Sequence, residues 1–592
     1  MAFTVTPRVR RIAEAEWKLF EQVHNIGGRA SCQDSPDTFF IMRSSQLMAW
    51  SEAMQESYWN DLITATQQGR NLLTEKYAHM MARTSPAEFS RIRSQLPARL
   101  PEKDTYIDAI CAVSAAWQEQ LAQQYPHLAG RGRAIRKETD SLYETSFETY
   151  LWGELATYSL DTVKLYHAYI QQLEAQGENL CEMILQNTVQ QLGYASLTEA
   201  EVNSIMTRAM KQTDRYRIMK EAGCSEAEIK KAFNTKYEMS VFSYEGEKDT
   251  IMTPMDSLKY YKFFLRAGFM SMDPLTGHVK AYVGGPNYNY FQYDMAMVGR
   301  RQVGSTIKPY VYTLAMENGF SPCDQVRHVE QTLIDENGRP WSPRNASKKR
   351  YGEMVTIKWG LANSDNWVTA YLMGKLNPYQ LVRLIHSFGV QNKQIDPVVS
   401  LCLGPCEISV GEMVSAYSAF ANRGIRTAPV FVTRIEDNEG NVLANFTPQM
   451  DEVISETSAY KMLVMLRAVI NEGTGGRVRR LYGITADMGG KTGTTNRNSD
   501  GWFMGFTPSL VSGVWVGGEE RDIHFDTMVD GQGAAMALPI WGLYMQKVYK
   551  DKSLGYSQDE KFNIPDDFDP CKDTLIDETS VEETGGLDNI FE

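Results

Sequence analysis

Three short segments carry side chains whose types and spacing suit acyl transfer. Ser305-Thr306-Ile307-Lys308 sets a hydroxyl and an amine three positions apart. On a helix such a pair shares a face, so the amine can take the hydroxyl proton if burial or a nearby cation lowers its pKa. Gly304 before the serine and Pro309 after the lysine suit a first helical turn. There the backbone N–H groups are unpaired and developing negative charge is favoured. Ser364-Asp365-Asn366 comes second, with a hydroxyl to relay a proton and an amide to orient a substrate amide. Lys491-Thr492-Gly493-Thr494 comes last, ahead of a strand-rich stretch. A strand there can offer its main chain to an extended peptide, while the lysine and the threonine hydroxyls bind a terminal carboxylate.

Each segment is weak by itself. A second Ser-x-x-Lys, Ser458-Ala459-Tyr460-Lys461, lacks the flanking glycine and proline and reads as a solvated helix face. The order and context of the three segments carry the signal.

The elements that must position these residues change along the chain. Residues 10 to about 205 are rich in Ala, Gln, Glu, Leu and Met at helical spacing, as in Leu155, Tyr158, Thr162, Leu165 and Tyr166. Breakers at Gly27-Gly28, Ser85-Pro86, Pro97–Pro101 and Gly130–Gly132 divide this region into four to seven helices with no strand. Residues 206–261 read as a connector packing on the C-terminal region, helical to about 240, with a capping box at Ser225 and Glu228. From 262 the pattern turns to hairpins: 269–273 with 278–283, 430–435 with 442–446, and 501–506 with 510–516. Helical runs at about 305–318, 357–373, 378–388, 409–423 and 456–472 interleave with them. The expected fold class is therefore α+β and multi-domain: an all-α region at 1–205, then an antiparallel sheet flanked by helices over 262–555. The acidic tail, 556–592, is expected to be loose.

Composition narrows the function. The chain has 592 residues, 43% hydrophobic and 22% charged, with net charge −13. That charge argues against nucleic acid as a partner, because phosphate binding needs a basic face. Eight scattered cysteines form no CxxC pair and read as free, mostly buried thiols, so neither a metal site nor a cofactor is expected. No signal-peptide core and no run of about 18 apolar residues is seen, so no transmembrane helix is expected. In the helical region Asn25, Arg29, Gln33, Asp34, Arg43 and Gln46 form a polar cluster among aromatics. It reads as a buried hydrogen-bond network tying helices together, ahead of a small-ligand pocket or a Cys32–His24 nucleophile and base.

The three motifs in order form a known signature of penicillin-binding proteins and class A β-lactamases. Their surroundings resemble the transpeptidase domain of class A (bifunctional) penicillin-binding proteins over roughly 215–550. The residues that carry this are Gly299–Pro309, Asp273-Pro274, Thr276-Gly277, Val283-Gly284-Gly285, Gly473-Thr474-Gly475, Gly490–Thr495, Asp500–Phe503, Gly505–Pro508 and Val514–Gly517. The resemblance implies a serine D,D-transpeptidase that acts on peptidoglycan stem peptides ending in D-Ala-D-Ala and binds β-lactam antibiotics covalently. Ser305 is then the nucleophile, Lys308 the general base and Ser364 the proton shuttle. Asn366 holds the acyl side-chain amide, and Lys491, Thr492, Gly493 and Thr494 form the strand that takes the substrate carboxylate. The N–H groups of Ser305 and Thr494 make the oxyanion hole. The Glu-x-x-Leu-Asn motif of a β-lactamase is not found, Glu407-Ile408-Ser409-Val410 being no match. A β-lactamase or D,D-carboxypeptidase is the weaker alternative; a non-catalytic sensor of cell-wall peptides or an inactive fusion is the other.

No glycosyltransferase motif of the Glu-Asp-x-x-Phe type precedes the transpeptidase part. Trp17–Phe20, Asn25–Gln33, Thr38–Gln46, Glu75-Lys76-Tyr77 and Glu148-Thr149-Tyr150 instead resemble an uncharacterised bacterial helical domain with no activity to carry over. The family implies the cell envelope, at the outer face of the cytoplasmic membrane. The sequence alone leaves the cytoplasm, and the oligomeric state, open.

Overall fold

The computed structural model describes residues 4–23, 31–130, 132–141, 144–336, 338–572 and 576–577. The chain divides into two compact units, Met1–Tyr237 with Ile251–Leu258, and Glu238–Thr250 with Lys259–Glu592.

Among its described residues the first unit is helical to Phe233. Ten α-helices precede residue 212 among the described residues: α1 (Pro7–Glu21), α2 (Pro36–Met48), α3 (Glu52–Gln67), α4 (Leu72–Thr84), α5 (Pro86–Ile92), α6 (Pro101–Gln124), α7 (Phe147–Leu155), α8 (Leu160–Gln176), α9 (Leu180–Gln191) and α10 (Leu197–Lys211). That exceeds the four to seven expected, because several boundaries are set by caps and not by glycine or proline. Ser51, Asn71, Ser159 and Asn179 each accept a backbone N–H of the turn they open. The stripe read from Leu155 to Tyr166 accordingly spans two helices. Leu155, Tyr158, Thr162 and Tyr166 are buried, whereas Leu165 is exposed.

The core of this unit contains charge. Arg43 on α2 meets Glu16 of α1 at 2.5 Å and Glu154 of α7 at 2.7 Å, and Lys76 of α4 meets Glu154 at 2.6 Å. Tyr58 donates to Glu16 at 2.5 Å and Tyr158 to Glu154 at 2.6 Å. Two acids thus balance two bases, and all four are buried. Burial would raise the Glu154 pKa, but Lys76 and Arg43 outweigh it and hold the carboxyl well below its ordinary range. Gln46 donates to Glu154, so Arg43 and Gln46 of the polar cluster belong to this network, while Gln33 instead donates to the Phe20 and Val23 carbonyls. Asn25, Arg29, His24 and the Cys32 side chain lie outside the described residues.

The connector begins with α11 (Asp214–Glu221) and α12 (Glu226–Phe233), the latter opened by the expected Ser225–Glu228 capping box. It then turns to strand from Tyr237, earlier than expected, in a hairpin of Tyr237–Ser243 and Gly246–Met252. Phe242 of that hairpin packs among Phe264, Tyr290 and Phe291 of the second unit.

The second unit is built on one five-stranded antiparallel sheet. Its strands are β1 (Arg266–Met272), β2 (Val279–Val283), β3 (Gly489–Thr494), β4 (Asp500–Phe506) and β5 (Val511–Gly517), in the spatial order β3-β4-β5-β1-β2. Successive residues point to opposite faces, and both faces are covered. Trp502, Met504, Phe506, Met270, Met272 and Trp515 join one core with the helices Lys308–Glu317, Val410–Ala421 and Glu456–Asn471. Phe503, Phe269, Val514 and Val516 join another with Leu538–Lys550. This matches the antiparallel sheet flanked by helices expected from sequence. The hairpin read at 430–446 forms a separate ribbon, Arg434–Glu436 with Val442–Asn445.

Two expectations need correction. Cys323 and Cys571 are joined in a disulfide across 248 residues, a pairing that no local spacing could reveal. Cys111, Cys181, Cys224, Cys402 and Cys406 are free, with Cys111, Cys402 and Cys406 buried. The described part of the tail, which was expected to be loose from 556, returns to the domain: Phe562 and Ile564 pack against the main core, and Glu560 accepts from Ser509. Among the described residues no helix is long and apolar enough to cross a membrane.

Candidate active site

Ser305 lies in a 3-10 turn, Gly304–Ile307, that runs into the helix Lys308–Glu317 with Pro309 in its first turn. Residues three apart eclipse in such a turn, so Ser305 and Lys308 share a side. The turn is braced from behind. Val303 N–H donates to Cys406 O at 3.1 Å and Gly304 N–H to Gly404 O at 3.0 Å. Gly304 has φ +52 and Gly404 φ +74, backbone that favours glycine. A Cβ on Gly404 would fall 2.1 Å from Gly304 O, and one on Gly304 would fall 2.7 Å from Thr494 O. The serine turn is therefore wedged between the Gly404 loop and the edge strand β3. Tyr417 adds a hydrogen bond to Thr306 O at 2.8 Å.

Lys308 is fully buried. Its amine contacts Ser364 O at 2.6 Å and Asn366 Oδ1 at 2.7 Å, with Ser364 Oγ farther, at 3.5 Å. Burial pushes its pKa down to about 8, although Asp365 and Cys402 oppose the shift. A neutral amine has two N–H donors and one lone pair. The two close acceptors can take both donors, leaving the lone pair for a proton from a hydroxyl.

Ser364 is held in the left-handed region, φ 55, a conformation costing a non-glycine residue about 1 kcal/mol. The conformation is over-determined by its neighbours: Ser364 N–H donates to Leu361 O and Asp365 N–H to Gly360 O. The Ser364 carbonyl then meets Lys308, while its hydroxyl accepts from Lys491 Nζ at 2.9 Å. Lys491 is also fully buried and donates to Thr492 O at 2.9 Å. Burial and then the Lys308 charge drive its pKa well below the ordinary lysine value.

The second motif is anchored by residues that sequence reasoning missed. Asp365 caps the helix Asn366–Lys375 through Val368 N–H. Its other oxygen meets His328 Nε2 at 2.8 Å and Asn345 Nδ2 at 2.6 Å. Asn345 accepts from Asn366 N–H at 3.0 Å, and Asn366 Nδ2 donates to Arg344 O at 2.6 Å. These contacts run between segments far apart in sequence and leave no local pattern.

The third motif forms β3, the edge strand of the main sheet, a position where an extended peptide can add as a further strand. Thr492 Oγ1 lies 2.8 Å from Thr474 Oγ1, and Thr494 Oγ1 accepts from Gly533 N–H at 2.9 Å. A Cβ on Gly493 would approach Val303 O to 2.9 Å, so this position sits directly on the serine turn. The structure thus brings Lys308, Ser364, Asn366 and Lys491 together by hydrogen bonds and lays Gly493 and Thr494 against the turn that carries Ser305. Ser458 lies elsewhere and is buried, not on a solvated face as read from sequence, and Lys461 donates to Phe320 O.

Comparison with known proteins finds family matches along most of the chain. Residues 267–518 match the family described as penicillin binding protein transpeptidase domain, 190–265 the penicillin-binding protein middle domain, and 8–202 a family of unknown function, DUF4125. Penicillin-binding protein 1A of Aquifex aeolicus is 35% identical over 321 residues, 53% of this chain and 42% of that protein. The Neisseria meningitidis protein of the same name is 32% identical over 295 residues, 49% of this chain and 36% of that protein. The chain therefore spans less than half the length of these curated relatives. Among solved structures, penicillin-binding protein 1A from Haemophilus influenzae aligns with TM-score 0.47 and 22% identity over 55% of this chain and 52% of that one. PonA1 from Mycobacterium tuberculosis, solved in complex with penicillin V, aligns with TM-score 0.43 and 24% identity over 61% of this chain and 96% of that one. After a region matching a family of unknown function, this chain carries a penicillin-binding-protein transpeptidase domain in its C-terminal part.

Proposed function

We propose that the chain is a serine D,D-transpeptidase of the cell envelope, acting on peptidoglycan stem peptides through an acyl-enzyme on Ser305. One observation carries this reading: the buried Lys308 amine, with two close acceptors and a lowered pKa, three residues from the serine. Ser305 Oγ attacks the carbonyl carbon of the penultimate D-alanine, and its proton passes to Lys308. The Ser305 and Thr494 N–H groups receive the oxyanion. As the C–N bond breaks, Ser364 relays a proton to the departing D-alanine amine. An amine from a neighbouring strand then attacks the ester, forms the cross-link and regenerates the serine. Asn366 orients the donor, and Lys491, Thr492 and Thr494 receive its terminal carboxylate. The Cys323–Cys571 disulfide fits an oxidising compartment.

Fluorescent penicillin tests the reading. Wild type should form a covalent band that Ser305→Ala loses without a change in melting temperature. Absence of any band from folded wild type would leave a non-covalent binder or an inactive fusion.

A further inference from the structure

The contacts form a hydrogen-bonded chain: Lys491 to the Ser364 hydroxyl, the Ser364 carbonyl to Lys308, Lys308 to Asn366 Oδ1, and Asn366 Nδ2 to Arg344 O. On the proposed function, on which this inference rests, the donor's terminal carboxylate lies at the Lys491 end. The amino-terminal part of the donor must then lie toward Arg344.

That end is basic. Arg344, Lys348 and Lys349 are exposed in the loop after Pro343, in a chain whose net charge is −13. Arg350 in the same loop is taken by Glu353 at 2.7 Å. The loop is fixed against the site: Trp367 Nε1 donates to Pro343 O at 3.1 Å, and Asn345 bonds both Asp365 and the Asn366 N–H. Its cations are thus carried on a backbone held at a set place beside Asn366.

We propose that Arg344 and Lys348, with Lys349, form a specificity subsite for a carboxylate on the donor peptide, amino-terminal to the scissile bond. An exposed side chain on a pinned loop suits this role. It can meet a carboxylate at the rim of the cleft without burying charge, and its attraction acts over roughly 10 Å before salt screens it.

The test compares two donors, N-acetyl-Glu-D-Ala-D-Ala and N-acetyl-Gln-D-Ala-D-Ala, by release of D-alanine from the full chain. Wild type should prefer the carboxylate donor in kcat/KM by about tenfold at low salt, as two or three exposed pairs allow. The preference should shrink at high salt. The double variant R344E/K348E, checked for an unchanged melting temperature, should abolish or invert the ratio. Equal use of the two donors by wild type overturns the proposal, as does an undiminished preference in the variant. Failure of wild type with both donors also overturns it. Penicillin labelling of the same sample then reports separately whether Ser305 and the proposed reaction still stand.

Discussion

If Lys308 is the base, the rate of penicillin acylation must track its neutral form. With a pKa of about 8, roughly a tenth of the amine is neutral at pH 7 and a hundredth at pH 6. The second-order rate constant for a fluorescent penicillin should therefore fall about tenfold between pH 7 and pH 6, and level off above about 9. Burial is the main cause of the shift and Asp365 opposes it. Asp365→Asn, which keeps a helix-capping oxygen, should thus move the inflection to lower pH. The same burial shapes stability. Between about pH 8 and the ordinary lysine value of 10.5, the unfolded chain holds a proton that the folded chain has lost. Stability should rise with pH across that window, by up to about 3 kcal/mol from this group. Stopped-flow labelling from pH 6 to 9, beside urea unfolding from pH 7 to 10.5, measures both. A flat rate profile, or an inflection that survives Lys308→Ala, would refute the assignment.

Lys308→Ala should slow acylation by about 10²–10⁴-fold, while Ser458→Ala should label as wild type does, read from band intensity over time. The acyl-enzyme should persist for many minutes, because the hydrogen-bond partners of Lys308 and Lys491 among the described residues are a hydroxyl, carbonyls and an amide, with no carboxylate to activate water. Rapid turnover of a chromogenic β-lactam would contradict that. In the first unit, Glu154→Gln leaves Arg43 and Lys76 with excess buried charge and should destabilise that unit by about 3–5 kcal/mol, visible as a lowered transition in calorimetry of the full chain.

The motifs were legible because each is short and local. Ser305 and Lys308 share one turn, Ser364 and Asn366 flank one cap, and Lys491–Thr494 is one strand. The main-sheet hairpins were legible too, since alternation and a turn lie within a few residues of each other. What failed was non-local or chemically quiet. Asn345 and His328 brace Asp365 from outside its motif, and Gly404 acts on Gly304 through backbone alone. Helix ends marked by a serine or asparagine cap merged neighbouring helices in the pattern, as at Ser159 between α7 and α8. Ser458 looked solvated because helical periodicity does not say which stripe faces a core.

The Cys323–Cys571 bond makes a closed ring of most of the second unit. Ser364 and the Lys491–Thr494 strand lie inside the ring; Ser305 and Lys308 lie outside it, on the stem that leads in. Closing so long a ring removes chain entropy equivalent to about 5 kcal/mol in the chain-entropy account. It also changes what a cut does to the polypeptide. A single peptide break between Cys323 and Lys491 severs the serine's stretch of chain from the lysine strand in sequence, yet the pieces remain one covalent molecule until a reductant is added. A nicked enzyme can thus keep its mass, and its catalytic groups stay tethered at high effective concentration.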